Sequence, residues 1–240
     1  MDIWRKTVKR IPGVRSTVRW LRNALHPHYR SVRAVERTHP GQLLQPEATT
    51  GAGRYPEIHA FVAGQLSGIA APRVLSWGCS TGAELLALRA ALPHAEIVGV
   101  DINPRSLAIA ARAIEGMPGI KLMQSGDPAD LSGQAFDAVL CLAVLRHSRL
   151  QAEQPESSAE ILPFARAEAF VTSLAALVRP GGLLALWNVH FRLVDMVIAP
   201  GFAAVLELAK GLEANRPIYG PGDRRMDQAT CLAAVYRRGD

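Results

Sequence analysis

The sequence is short of cysteine, of long apolar runs and, near its start, of acids. Its three cysteines, Cys79, Cys141 and Cys231, are odd in number, and no two form a C-x-x-C pair. That excludes a disulfide framework and the usual zinc spacings, and it leads to the expectation of a reducing compartment. No apolar stretch is long enough to span a bilayer. The basic start is not followed by the apolar core of a secretory signal. Together these place the chain, as an expectation, in the cytoplasm. There is no repeat at solenoid spacing. The carboxylates Asp101, Asp127 and Asp130 fall on different turns without a metal-binding pattern, so no metal is expected.

The scarcity of acids is local. Residues 1–40 hold ten Lys/Arg against Asp2 and Glu36, whereas the other 200 residues hold seventeen bases and nineteen acids. The net charge of +6 therefore belongs to an N-terminal arm, and the rest is close to neutral. A nucleic-acid groove across the main domain is not expected. With 240 residues, 49% of them apolar, the chain can bury one substantial core.

What is present divides into an arm with its linker, residues 1–53, and a domain, residues 54–240. Residues 1–25 read as helical with a break at Pro12–Gly13, and Val14, Val18, Leu21 and Leu25 make one apolar stripe. Three roles fit this arm: a lid, an oligomer or packing contact, or peripheral attachment to an anionic membrane surface, for which Trp4 and Trp20 suit. Residues 38–53 read as a linker and Pro56–Ser67 as a helix. Strand and helix patterns then alternate. The strands are Arg73–Trp77, Ala95–Val100, Ile120–Gln124, Phe136–Leu142, Leu183–Val189 and Thr230–Arg237. The helices are Gly82–Leu92, Pro104–Glu115, Pro163–Val178 and Phe202–Glu213. Apolar strands alternating with helices imply an α/β fold, a mostly parallel sheet covered on both faces. Such sheets bind ligands at the carboxyl ends of their strands.

Two elements carry chemistry. Val74–Leu88 is a buried strand that runs into Gly78, with Gly82 opening a helix. Glycine permits close approach of a ligand, and the helix start offers free N–H groups. The spacing is G-x-x-x-G, not the G-x-G-x-x-G of nicotinamide binders. Asp101 then ends the second strand, 23 residues after Gly78, where a carboxylate can accept both hydroxyls of a ribose.

With these in order, followed by Gly126–Asp127, Phe136–His147 and Leu177–Leu186, the chain resembles the class I S-adenosylmethionine-dependent methyltransferases over roughly residues 54–238. The Gly-Cys-Ser-Thr-Gly form resembles that of a poorly characterised bacterial subgroup. The resemblance implies a Rossmann-like, doubly wound sheet of seven strands, ordered 3-2-1-4-5-7-6 with strand 7 antiparallel. It implies that S-adenosyl-L-methionine is the cofactor. Gly78, Cys79, Ser80 and Gly82 would line its methionine part, and Asp101, with Ile102, would hold the ribose. Asp127 would face the adenine, and Leu142 and Ala143 would close over the cofactor. Arg54 and Tyr55 would reach back from the linker, the guanidinium pairing with the cofactor's carboxylate. Ser76 and Ser80 depart from the family pattern, which often has an acid and a glycine there.

Methyl transfer from a sulfonium needs alignment above all, and a base only where the acceptor must lose a proton. His147 and His190, after the fourth and fifth strands, are the candidate bases. The expected reaction is in-line methyl transfer to a small-molecule or lipid-linked acceptor. Two other readings stay open. One is a cofactor-binding module without catalysis, suggested by Ser76 and Ser80. The other is a nicotinamide-dependent oxidoreductase, against which the glycine spacing argues.

Overall fold

The computed structural model describes residues 27–46, 51, 53–208 and 216–240. The helical reading of residues 1–25 lies outside the described residues. In chain order the elements are α1 (Pro27–Thr38), α2 (Pro56–Leu66), β1 (Arg73–Trp77), α3 (Ala83–Ala91), β2 (Glu96–Asp101), α4 (Pro104–Ala113) and β3 (Ile120–Gln124). There follow β4 (Phe136–Leu142), α5 (Ser148–Glu153), α6 (Phe164–Ala176), β5 (Val178–Trp187), β6 (Phe202–Glu207) and β7 (Ala233–Arg238). The sheet has seven strands in the order β3-β2-β1-β4-β5-β7-β6. β3, β2, β1, β4 and β5 run parallel, while β7 is antiparallel to both β5 and β6.

The strands are continuous apolar runs because both faces of the sheet are covered. Alternate side chains enter separate cores. Leu75, Trp77, Val139, Cys141, Leu184 and Leu186 pack with Phe170, Val171 and Leu174 of α6. Their strand neighbours Val74, Ala138, Leu140, Leu183 and Ala185 pack with Ile58 and Val62 of α2 and with Leu85 and Leu88 of α3. Each fully buried aliphatic side chain contributes on the order of 1.5–3 kcal/mol relative to exposure. No helix among the described residues is long and apolar enough to cross a membrane.

One predicted element is overturned. Phe202–Glu213 reads as a helix from Ala, Leu and Glu content and from apolar spacing, yet Phe202–Glu207 is a strand. It pairs with β7 at the edge of the sheet, with register shifts around Leu206. Tertiary pairing here overrides helix propensity. Residues 209–213 of that reading lie outside the described residues. A second difference concerns β5, which begins at Val178, within the end of the predicted helix, and stops at Trp187. Asn188 turns the chain with φ 57°.

At the amino edge of the sheet, Asp137 joins three strands. Its carboxylate accepts from the Arg73 amide of β1 at 2.7 Å and from Arg179 Nη1 of β5 at 2.6 Å. The side chain is 9% exposed. Removing one partner of a buried charge pair typically costs about 3–5 kcal/mol, and the partial exposure of Arg179 puts this case near the lower end. Asp137→Ala is expected to lower unfolding stability by about 3 kcal/mol in a urea titration. An unchanged midpoint would show that Asp137 is dispensable to the junction of β1, β4 and β5.

Candidate active site

The order of the strands reverses between β1 and β4, so their carboxyl ends frame a crevice. The turn after β1 is fixed there by β2, since the amides of Gly78 and Cys79 both donate to the Val100 carbonyl, at 2.8 and 2.9 Å. Gly78 has φ 77°, and a Cβ on it would lie 2.5 Å from Val144 Cγ2. Only glycine lets the segment after β4 come this close. Gly82, at φ 90°, opens α3.

Asp101 stands at the end of β2, on the cavity wall. Its Oδ2 accepts from the Ser80 amide at 2.9 Å and its Oδ1 from the Asn103 amide at 2.8 Å. Burial pushes its carboxyl above the ordinary range, and the two amides only partly oppose this. A desolvated carboxylate of this kind is stabilised by further donors, which a vicinal diol supplies. Beyond it, Ile102, Asn103, Ser125 and Gly126 continue the wall. A Cβ at Gly126 would fall 2.5 Å from Ile102 Cδ1 and 2.7 Å from Gln42 Oε1, so a side chain there would fill the slot. Leu142, Ala143 and Val144 form the next part of the lining.

The cover comes from the chain before β1. Residues 42–46 line the cavity. Gln45 Nε2 donates to the Arg146 carbonyl, and Arg166 Nη2 donates to the Leu43 carbonyl at 3.0 Å. Arg54 and Tyr55 line the same cavity. The Arg54 guanidinium lies over the Tyr55 ring, 4.7 Å from its centroid, and donates to its hydroxyl. That hydroxyl also accepts from Asn188 Nδ2 at 2.6 Å, which ties the cover to the end of β5.

Sequence reasoning missed a polar group on the methionine side of the turn. Glu84, in the first turn of α3, accepts from the buried Ser76 hydroxyl at 2.6 Å. Its other oxygen lies 3.9 Å from Nε2 of His59, on α2. Both side chains line the cavity. His59 is buried, and its Nε2 makes no hydrogen bond, nor do Ser80 Oγ and Arg146 Nε on the same wall. The only signal was the pairing of a strand serine with an acid in the following helix, which has no meaning until β1 and α3 are packed together.

Comparison with known proteins finds a family match over part of the chain. Residues 75–184 match the family described as a methyltransferase domain. The chain is 29% identical over 150 residues to an uncharacterised protein of Synechococcus, covering 60% of this chain and 32% of that protein. It is 28% identical over 148 residues to a tRNA (guanine-N(7)-)-methyltransferase of Nocardia farcinica, covering 57% and 50%. The chain thus spans from about a third to half the length of these curated relatives. Among solved structures it is similar to the N-methyltransferase NodS of Bradyrhizobium japonicum bound to S-adenosyl-L-homocysteine. That match has TM-score 0.53 and 17% identity, and covers 88% of this chain and 99% of that one, which shows the shared fold.

Gly78, Cys79, Ser80, Asp101, Ile102, Leu142 and Ala143 meet on one cavity together with Arg54 and Tyr55. Gly82 sits behind the lining, where a Cβ would come within 3.1 Å of Ala110. The Cys79 thiol is pushed up by burial and by the charges of Asp101 and Glu84, which leaves it a small apolar wall residue. Asp127 stands outside the lining. Its Oδ1 accepts from the Ala129 amide at 2.9 Å and so caps the 3-10 turn Pro128–Leu131.

The two candidate bases do not meet at the cavity. His147 Nδ1 accepts from the Arg149 amide at 3.2 Å and caps α5. Burial, and secondarily the charge of Arg149, lowers its pKa. His190 is fully buried. Its Nδ1 faces the Pro217 carbonyl at 2.8 Å and its Nε2 the His147 carbonyl at 3.2 Å. No ring nitrogen is left for a substrate. The reason is the turn at Asn188, which ends the strand before His190 and redirects the side chains after it.

Burial depresses the His190 pKa from its ordinary 6.5 to about 4, against the two carbonyl contacts. In the unfolded chain the ring takes up its proton near 6.5, whereas in the folded chain it does so only near 4. Between these values the unfolded state binds more protons. The contribution of a neutral His190 is therefore complete above pH 6.5 and is lost as pH falls towards 4. The native protein is expected to lose up to about 3 kcal/mol more than His190→Gln across that window in urea titrations. Parallel pH profiles of the two proteins would remove His190 as the cause.

Proposed function

We propose that the chain is an S-adenosyl-L-methionine-dependent methyltransferase acting on a small-molecule or lipid-linked acceptor. The observation that carries this reading is the Asp101 carboxylate. It is half-buried, it is held on both oxygens by backbone amides, and it faces a cavity whose far slot exists because residue 126 is glycine. These features fit an adenosyl group. Asp101 would hold the ribose, the slot between Ile102 and Gly126 the adenine, and the turn Gly78–Ser80 the methionine chain. Glu84 with His59 would receive the ammonium, since both have an acceptor atom at the cavity wall and His59 Nε2 has no other partner. Arg54 and Arg146, also on the wall, supply the positive charge for the carboxylate.

When bound, the cofactor supplies an electrophilic methyl group on a sulfonium. The work of the chain is then to align the acceptor and to exclude water. The cover of residues 42–46 with Arg54 and Tyr55 does the second. The tie from Tyr55 to Asn188 fixes that cover relative to the end of β5, beside which an acceptor would enter. The His147 and His190 rings are committed to a helix cap and to buried carbonyls, so alignment without a protein base is the mechanism this wall supports. A small or lipid-linked acceptor suits the enclosed cavity. With Asp101 assigned to the ribose and Glu84 and His59 to the ammonium, no wall group among the described residues is left to act as a base on the acceptor, which favours a second reading, a cofactor-binding module without turnover.

Calorimetry with S-adenosyl-L-homocysteine tests the assignment. Asp101→Ala is expected to weaken binding by at least about a hundredfold, for the loss of two charge-assisted hydrogen bonds. Glu84→Gln, which keeps the hydroxyl contact to Ser76 and removes the charge, is expected to weaken it by about tenfold. Unchanged affinity in Asp101→Ala, with an unchanged circular dichroism spectrum, would sink the proposal. Tight binding without methylation of any offered acceptor would select the non-catalytic reading.

A further inference from the structure

A second concave site lies outside the cavity, between α1 and the start of α4. Arg30, Arg33 and Arg37 line it from α1, Arg105 lines it from α4, and Ser31 stands among them. The three α1 arginines recur at i, i+3 and i+7, so they share one face of the helix. The one acid of α1, Glu36, is exposed and lies about 60° round the helix from Arg33 at 100° per residue, yet it makes no ion pair with it. Among the described residues, no carboxylate is in ion-pair contact with any of the four arginines. Like charges four residues apart, as at Arg33 and Arg37, destabilise a helix on their own. The groove therefore gathers positive charge that no carboxylate among the described residues neutralises.

The groove is joined to the cavity through one short chain of contacts. Ser31 Oγ accepts from Asn103 Nδ2 at 3.0 Å. The Asn103 amide donates to Asp101 Oδ1 at 2.8 Å. The next residue of α1, Val32, is buried and lines the cavity itself. One helix thus presents an arginine face outward and a cover residue inward.

We propose that this groove binds a ligand carrying two adjacent phosphate groups, and that its occupation steadies α1 over the cavity. Guanidinium groups pair with phosphate oxygens in bidentate fashion. A single phosphate ester carries a charge of about −1.5 to −2, so two adjacent phosphates match four guanidinium groups where one does not. The source is a free diphosphate-bearing molecule or the phosphates of two neighbouring lipid headgroups on an anionic membrane surface. The binding part stands on the groove alone, while the effect on the cavity rests on the function proposed above.

The test is calorimetry of the full chain with inorganic pyrophosphate at constant ionic strength, beside sedimentation with phosphatidylcholine vesicles with and without phosphatidic acid. The wild type is expected to bind pyrophosphate, and Arg33→Ala/Arg37→Ala to bind it at least about tenfold more weakly. Arg112→Ala, on α4 but outside the groove, is expected to bind as the wild type does. Pelleting with the phosphatidic acid vesicles, lost in the double variant, would assign the phosphates to lipid headgroups, and pyrophosphate heat without pelleting would assign them to a free ligand. Neither heat nor pelleting, or either one unchanged by the double substitution, overturns the proposal. Pyrophosphate is further expected to tighten S-adenosyl-L-homocysteine binding severalfold in the wild type and not in the double variant. Pyrophosphate binding without any binding of the homocysteine compound would remove the proposed function and leave the groove standing.

Discussion

Two backbone amides meet on the Asp101 carboxylate, one from the turn after β1 and one from the start of α4. This meeting sets the relative height of three elements at the carboxyl edge. The turn can approach β2 because Gly78 and Cys79 share the Val100 carbonyl. α4 starts where it does because Asn103 caps it, its Oδ1 accepting from the Arg105 amide at 3.0 Å. Through the other end of the same side chain, Asn103 holds Ser31 of α1. An acid at position 101 therefore organises its surroundings before any ligand is considered. The cost of its burial is the reason it is suited to take further donors.

The departures at Ser76 and Ser80 find a physical account in this frame. The strand position that holds serine is fully buried, and its hydroxyl donates to Glu84 from the following helix. The negative charge is thus carried by α3 and not by β1, and it still faces the cavity. Ser80 adopts φ 49°, which costs a non-glycine residue on the order of 1–2 kcal/mol. The geometry that incurs this strain also points the Ser80 amide at Asp101.

The parallel strands were legible because each is an apolar run bounded by turn residues, and burial on both faces demands that pattern. β6 was not, because FAAVLE is made of helix-forming residues and lies at an edge where pairing with β7 decides its state. The cavity-lining residues were legible where backbone requirements select them: Gly78 as the glycine of a turn after a buried strand, Asp101 by its place at a strand end. The histidines were placed at the correct edge, but periodicity cannot foresee a left-handed residue at Asn188, and the directions of the following side chains depend on it. Glu84, His59 and Arg146 escaped notice because their meaning arises from packing between helices and loops distant in sequence.

The two edges of the sheet have separate duties. At the amino edge, Asp137 draws β1, β4 and β5 together with a short ion pair, and the only left-handed residue of these three strands is a glycine, Gly181. At the carboxyl edge, Tyr55, Ser80 and Ala143 line the cavity with positive φ, and Asn188, also positive, is bonded to Tyr55. Such conformations persist only where the surroundings over-determine them. Here those surroundings are named: the Asp101 carboxylate for Ser80, the Trp187 carbonyl accepting from the Ala143 amide at 2.9 Å, and the Tyr55–Asn188 contact itself. Strain collected around one cavity and countered by specific hydrogen bonds is what a preorganised binding site requires. It also explains why the buried His190 matters without touching a substrate: its neutral ring packs between the Pro217 and His147 carbonyls and donates to one of them, filling the space between the two loops beside the strained end of β5.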